Sequence, residues 1–126
     1  MKLAALRLFV RDLSAARALY RDLLGITLTA DGASHGFLVF DLDGVDLVIE
    51  AVAADAPSDE QALVGRFSGI SFAVDDCAAA HARLTAAGVR FSGAPEAQGW
   101  GGVLATLLDA DGNALQLVQY PAAGGA

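Results

Sequence analysis

The sequence predicts an α+β fold of two tandem βαβββ modules whose mixed sheets curl around a cleft. Three observations point to it. Apolar segments of strand length and stretches of helical spacing follow the order strand, helix, strand, strand, strand, and that order then repeats. Landmarks in the two halves align: Val10-Arg11-Asp12-Leu13 with Val74-Asp75-Asp76-Cys77, Gly25 with Gly88, and the Asp-Gly turns at 43–44 and 111–112. Finally, 126 residues that are 55% hydrophobic suit one compact domain, burying about two-thirds of the surface its unfolded chain exposes. One module alone would leave an apolar sheet face uncovered. Two can enclose a cleft, the default ligand site.

Each element has a local reason. Leu3 to Val10 is short and apolar, as a buried strand is. Asp12 or Ser14 can cap the next helix, whose apolar face is Leu13, Ala16, Tyr20 and Leu23. Gly25 stands where a helix-ending glycine belongs. Ile26 to Ala30 and Phe37 to Leu42 read as strands, and Asp43-Gly44 is a hairpin signal leading into the strand Val45 to Val52. The first module is therefore 3–52. Residues 53–66 form a polar, irregular linker with a short helix within 59–65. The second module, 67–120, has a strand from Phe67 to Val74 and a helix capped by Asp75 or Asp76. That helix has Cys77, Ala80, Leu84 and Ala87 on its apolar face and ends at Gly88. Strands follow at 89–92, 103–108 and 114–120, with a loop over 93–101 and a turn over 109–113. The tail, 121–126, should fray.

Composition excludes several classes. Intrinsic disorder is incompatible with this hydrophobicity, and a single cysteine, Cys77, cannot build a disulfide framework. The start resembles a signal peptide, but Arg7 and Arg11 interrupt it. No apolar run approaches the roughly 20 residues of a membrane helix, so a cytoplasmic location is expected. The net charge of −7 and the lack of a basic stripe argue against nucleic acid as a partner. Of the 15 acidic residues 12 are Asp, most of them in turns or caps.

The repeat resembles the vicinal oxygen chelate superfamily, which includes glyoxalase I, extradiol dioxygenases and bleomycin resistance proteins. The resemblance spans residues 3–120. It is carried by Val10-x-Asp12-Leu13 through Tyr20-x-x-x-Leu24-Gly25, and by Trp100-Gly101-Gly102 through Leu108-Asp109-x-Asp111-Gly112-Asn113-x-Leu115. The fold hosts lyases, isomerases, dioxygenases and non-catalytic binders, so it does not choose a chemistry. Metal enzymes of the superfamily take one ligand from the first and one from the last strand of each module. The resemblance places these at Ala5, Glu50, Gly69 and Gln116. Ala5 and Gly69 have no side-chain donor, and a lone carboxylate with an amide is a poor site for a divalent ion. No cofactor and no divalent metal are therefore expected.

Strand parity sets Arg7 and Phe9 on the same face as Ala5, and Val48 and Asp46 beside Glu50. Arg7 and Glu50 are the charges expected in the cleft, either paired with each other or orienting a ligand. Asp46, just past a turn, should be solvated. His35, at the start of the third strand, could serve as a general base or be a plain exposed histidine. His81 should face solvent, and Cys77 should be a buried hydrophobe. Trp100, in Gly99-Trp100-Gly101-Gly102, is either a core plug or an aromatic wall.

The leading reading is a metal-free binder of a small organic molecule, with Arg7, Phe9, Glu50, Trp100 and Gln116 as ligand-binding residues. The alternative is a lyase, isomerase or dioxygenase using Glu50, with His35 as the second catalytic candidate. A third is an accessory subunit. Relatives imply a homodimer.

Overall fold

The computed structural model describes residues 1–122. The chain divides into two compact units. Unit 1 holds residues 1–66 together with 110–113, and unit 2 holds the remainder.

Unit 1 begins with β1 (Ala5–Val10), followed by α1 (Leu13–Arg17). Asp12 caps α1, its carboxylate accepting from the amides of Ser14 and Ala15 at 2.9 and 3.1 Å. Replacing Asp12 with Ala should cost about 1 kcal/mol of stability, the usual price of a lost N-cap; thermal unfolding would measure it.

The helix expected to continue regularly instead widens into a π-helical turn over Ala18–Leu23, where Leu24 N–H reaches Leu19 C=O at 2.8 Å. The wider winding shifts the buried face. Ala16, Leu19 and Tyr20 are buried, whereas Leu13 and Leu23 are only half-buried.

Next come β2 (Thr27–Gly32), a 3₁₀ turn over Ala33–His35, β3 (Phe37–Leu42) and β4 (Val45–Ala51). The sheet order is β1-β4-β3-β2, with β1 and β4 parallel and the other pairs antiparallel. Alternation does the sorting. Leu8, Val10, Leu38, Phe40, Leu47 and Ile49 point to the core under α1 and the π turn. The opposite face of the sheet carries Arg7, Phe9, Phe37, Val48 and Glu50.

The stretch 53–66 is less irregular than its composition suggests. It contains α2 (Ser58–Gln61), and Gln61 Nε2 donates to the carbonyls of Ala53 and Ala54 at 2.8 and 3.1 Å. Its end bridges β1 through Val64 and Phe9.

The turn 110–113 completes unit 1. Asn113 is buried. Its Oδ1 accepts from the amides of Gly65 and Arg66 at 3.0 and 3.1 Å, and its Nδ2 donates to the Phe9 carbonyl at 2.8 Å. Asp111 Oδ2 accepts from Arg11 N–H at 3.0 Å.

Unit 2 repeats the plan: β5 (Phe67–Ala73), α3 (Cys77–Ala86), β6 (Arg90–Phe91), β7 (Glu96–Ala97), β8 (Val103–Leu108) and β9 (Ala114–Gln119). The order β5-β9-β8-β6 and its parallel first pair copy unit 1. Asp76 caps α3. Cys77, Ala80 and Leu84 are buried, but Ala87 caps the helix and is exposed, outside the apolar face it was expected to join.

The loop expected over 93–101 contains β7, which pairs with β8. A two-residue strand has too little sequence to show a period. His81 is not fully solvated, since its ring packs on Phe91 with centroids 4.4 Å apart. The fraying expected at 121–126 lies, from 123 on, outside the described residues. Among the described residues no helix is long and apolar enough to cross a membrane.

Candidate functional site

The open face of unit 1 is a small grid. Across β1, β4 and β3, one row is Phe9, Glu50 and Phe37; the next is Arg7, Val48 and Val39; the third is Ala5, Asp46 and Asp41. Glu50 thus stands between two phenylalanine positions. Arg7, one row away, reaches it with both arms of its fork, Nε to Oε2 at 2.5 Å and Nη2 to Oε1 at 3.0 Å. The guanidinium carbon also lies 5.2 Å from the centroid of the Phe9 ring, within cation–π range.

The hydrogen bond that Arg7 donates to Glu50, aided by the carboxylate's charge, raises the Arg7 pKa above its ordinary value. Of the two alternatives for these charges, the structure shows the pair. It is not a buried pair, however: the side chains are 59% and 30% exposed, so solvent screens it. The free N–H groups of Arg7 remain accessible to a ligand.

His35 does not begin β3. It ends the preceding 3₁₀ turn, is exposed, and has Nδ1 3.1 Å from Ser34 Oγ. Asp46 is exposed, as its place beside the turn suggests.

Two other candidates lie in unit 2. Gln116 of β9 is flanked in register by Ser71 and Thr106, and its Nε2 donates to Thr106 Oγ1 at 3.3 Å. It lines a recess of about 320 Å³ on the open face of that sheet, together with Ser92, Glu96, Gln98, Leu104 and Thr106. That volume is at the lower end of small-molecule sites.

Sequence reasoning missed these neighbours of Gln116. The alternation of Thr106 with buried Ala105 and Leu107 was legible and would have added it. Glu96 and Gln98 depend on β7, which was not.

Trp100 does not line the recess. It is half exposed, with its ring 6.2 Å from that of Tyr120. It lies over Gly102, where a Cβ would meet the indole at 2.0 Å and the Gln119 carbonyl at 2.8 Å. The ring and the glycine therefore require each other. Gly102→Ala should expel the indole and shift Trp100 fluorescence to the red, with a stability loss of about 2 kcal/mol from overpacking. An unchanged emission spectrum would contradict this packing.

The donor set does not fit a divalent metal. In unit 1, Ala5 has no side-chain donor and Glu50 is engaged by Arg7; in unit 2, Gly69 has no side-chain donor and Gln116 offers a neutral amide. Gly69 has φ of +73° within an irregular stretch of β5, so a histidine there would be strained as well as new. Among the described residues no three His, Cys, Asp or Glu side chains cluster to hold an ion.

Two copies of a βαβββ unit, each with one face covered by its helix and one face left open, define the class of small paired-module α+β proteins. The glyoxalase/bleomycin resistance protein/dioxygenase superfamily profile matches residues 2–117, and the chain belongs to that superfamily. Among solved structures it is similar to a member of the superfamily from Sphaerobacter thermophilus, with 25% identity over 95% of this chain and 98% of the other and a TM-score of 0.75. TnmS3, an antibiotic binding protein from Streptomyces sp. CB03234, shares 28% identity over 94% and 95%, with a TM-score of 0.72. A lactoylglutathione lyase from Agrobacterium tumefaciens, at 19% identity over 94% and 92% with a TM-score of 0.73, shares the fold alone. Comparison with curated proteins finds no match.

Proposed function

We propose that the chain binds a small organic molecule without a metal ion, as a cytoplasmic homodimer that sequesters its ligand. The observation that carries this reading is the Arg7–Glu50 pair. The carboxylate at a superfamily metal position is occupied by a guanidinium, and the side chains beside it, Phe9, Phe37 and Val48, offer apolar and aromatic surface. Such a face suits a ligand held by burial and oriented by a few polar contacts. The similarity to an antibiotic binding protein supports the same reading. In this account Arg7, with donors to spare, is the orienting group, and Glu50 holds it in place.

The test has two arms. Protein purified without chelators, then incubated with manganese, iron, cobalt, nickel or zinc, should retain no stoichiometric metal by elemental analysis. A library of aromatic natural products should contain ligands that raise the unfolding temperature; at 100 times Kd the gain is about 2.7 kcal/mol. Tight metal at one per chain, or turnover lost on Glu50→Gln, would instead support the lyase, isomerase or dioxygenase alternative.

A further inference from the structure

The recess on the open face of unit 2 is polar, and its internal hydrogen bonds leave it rich in acceptors. Gln98 Nε2 donates to the Glu96 carbonyl at 3.0 Å, which fixes that amide with its oxygen turned from the bond. Gln116 Nε2 donates to Thr106 Oγ1 at 3.3 Å. The Ser92 hydroxyl points to the Thr106 carbonyl at 3.5 Å. Each bond turns a donor inward to the protein. The two amide oxygens and the Glu96 carboxylate remain to accept from a ligand, beside one unused N–H on each amide. Glu96 is the one charged residue of the lining, and among the described residues it has no ion-pair partner.

A recess with a carboxylate, spare carbonyl oxygens and no cation favours a guest that donates hydrogen bonds and carries positive charge. We propose that this recess binds a protonated amine carried on a hydroxylated frame. The assignment rests on the reading of the chain as a small-molecule binder and adds the chemical class of one part of the ligand. Glu96 pairs with the ammonium, and Gln98 Oε1 and Gln116 Oε1 accept from the neighbouring hydroxyls. Leu104, opposite Glu96 in the β7–β8 pairing, supplies the apolar floor.

The experiment uses the full chain, labelled with ¹⁵N, and two sugars of nearly the same size: glucosamine at a pH where its amine is protonated, and glucose. Glucosamine should shift the side-chain amide signals of Gln98 and Gln116 and bind about tenfold more tightly than glucose, the expected worth of one charge-assisted contact. In Glu96→Gln that preference should vanish while the rest of the spectrum, which reports the fold, stays in place. Equal affinities, shifts confined to other residues, a preference that survives Glu96→Gln, or no shift with either sugar would each overturn the proposal. If the sugars fail but an aromatic ligand still raises the unfolding temperature, the recess assignment falls and the binder reading stands. If glucosamine behaves as described but the protein retains metal and turns a substrate over, the reverse holds.

Discussion

Asn113→Ala is expected to lower the unfolding free energy by about 3 kcal/mol, because it strands three backbone groups at once. The amides of Gly65 and Arg66 lose their shared acceptor and the Phe9 carbonyl loses its donor. Asn113 is 1% exposed, so the substitution creates no easy path for water to replace the amide. Asn113→Asp separates the two halves of this role. It keeps the acceptor but turns a carboxylate oxygen toward the Phe9 carbonyl, so it should recover little of the loss. Denaturant titration of both variants measures this.

Cys77 offers an independent readout. It is buried, and desolvation followed by the charge of Asp76 raises its thiol pKa. The thiol should therefore react slowly with a thiol reagent until the protein opens. A loss below 1 kcal/mol for Asn113→Ala would mean that the clasp is not maintained.

The second large effect lies in the core of unit 1. Phe40→Ala should cost about 4 kcal/mol, the middle of the range for an aromatic ring removed from a filled interior. Phe40 is fully buried, and its ring centroid is 6.0 Å from that of Tyr20. Phe9, on the open face, is only half-buried, and Phe9→Ala should cost less than about 1 kcal/mol. The comparison tests whether the open face can be altered without losing the fold. Ligand binding by a Phe9→Ala protein is interpretable only if this holds. Chemical denaturation of the two variants decides it.

The fold was legible because each half repeats the same signals. The Asp-Gly turns, the Asp caps and the alternation in β3, β4 and β9 are local properties, and each appears where the sequence predicts it. Departures arose where local pattern competes with geometry. The π winding after Arg17 brings Leu19 into the core beside Ala16 and Tyr20 and leaves Leu23 half-buried, which spacing at 3.6 could not foresee. β7 is too short to have a period. Gln61 and Asn113 each act through several side-chain hydrogen bonds to backbone groups, which composition does not reveal.

For the site, parity correctly put Arg7, Phe9 and Glu50 on one face. That the two charges pair, and that they are solvent-exposed when they do, depended on side-chain reach. Asp12 and Asp76 cap helices and Asp111 bonds from a turn, as their sequence positions suggest. The recess around Gln116 was half visible, through Thr106 on β8, while Glu96 and Gln98 waited on β7.

The turn 110–113 has a consequence for how this protein is made. Asn113 and Phe9 are 104 residues apart, so the last hydrogen bonds of unit 1 come from a segment synthesised after most of unit 2. During translation the first module can form its sheet and helix, but the amides of Gly65 and Arg66 must wait for their acceptor. The emerging chain therefore spends much of its synthesis as an unfinished first half. A chain held on the ribosome just long enough for residues 1–66 to clear the exit tunnel should display a nascent module more easily digested by protease than the same residues in the released protein.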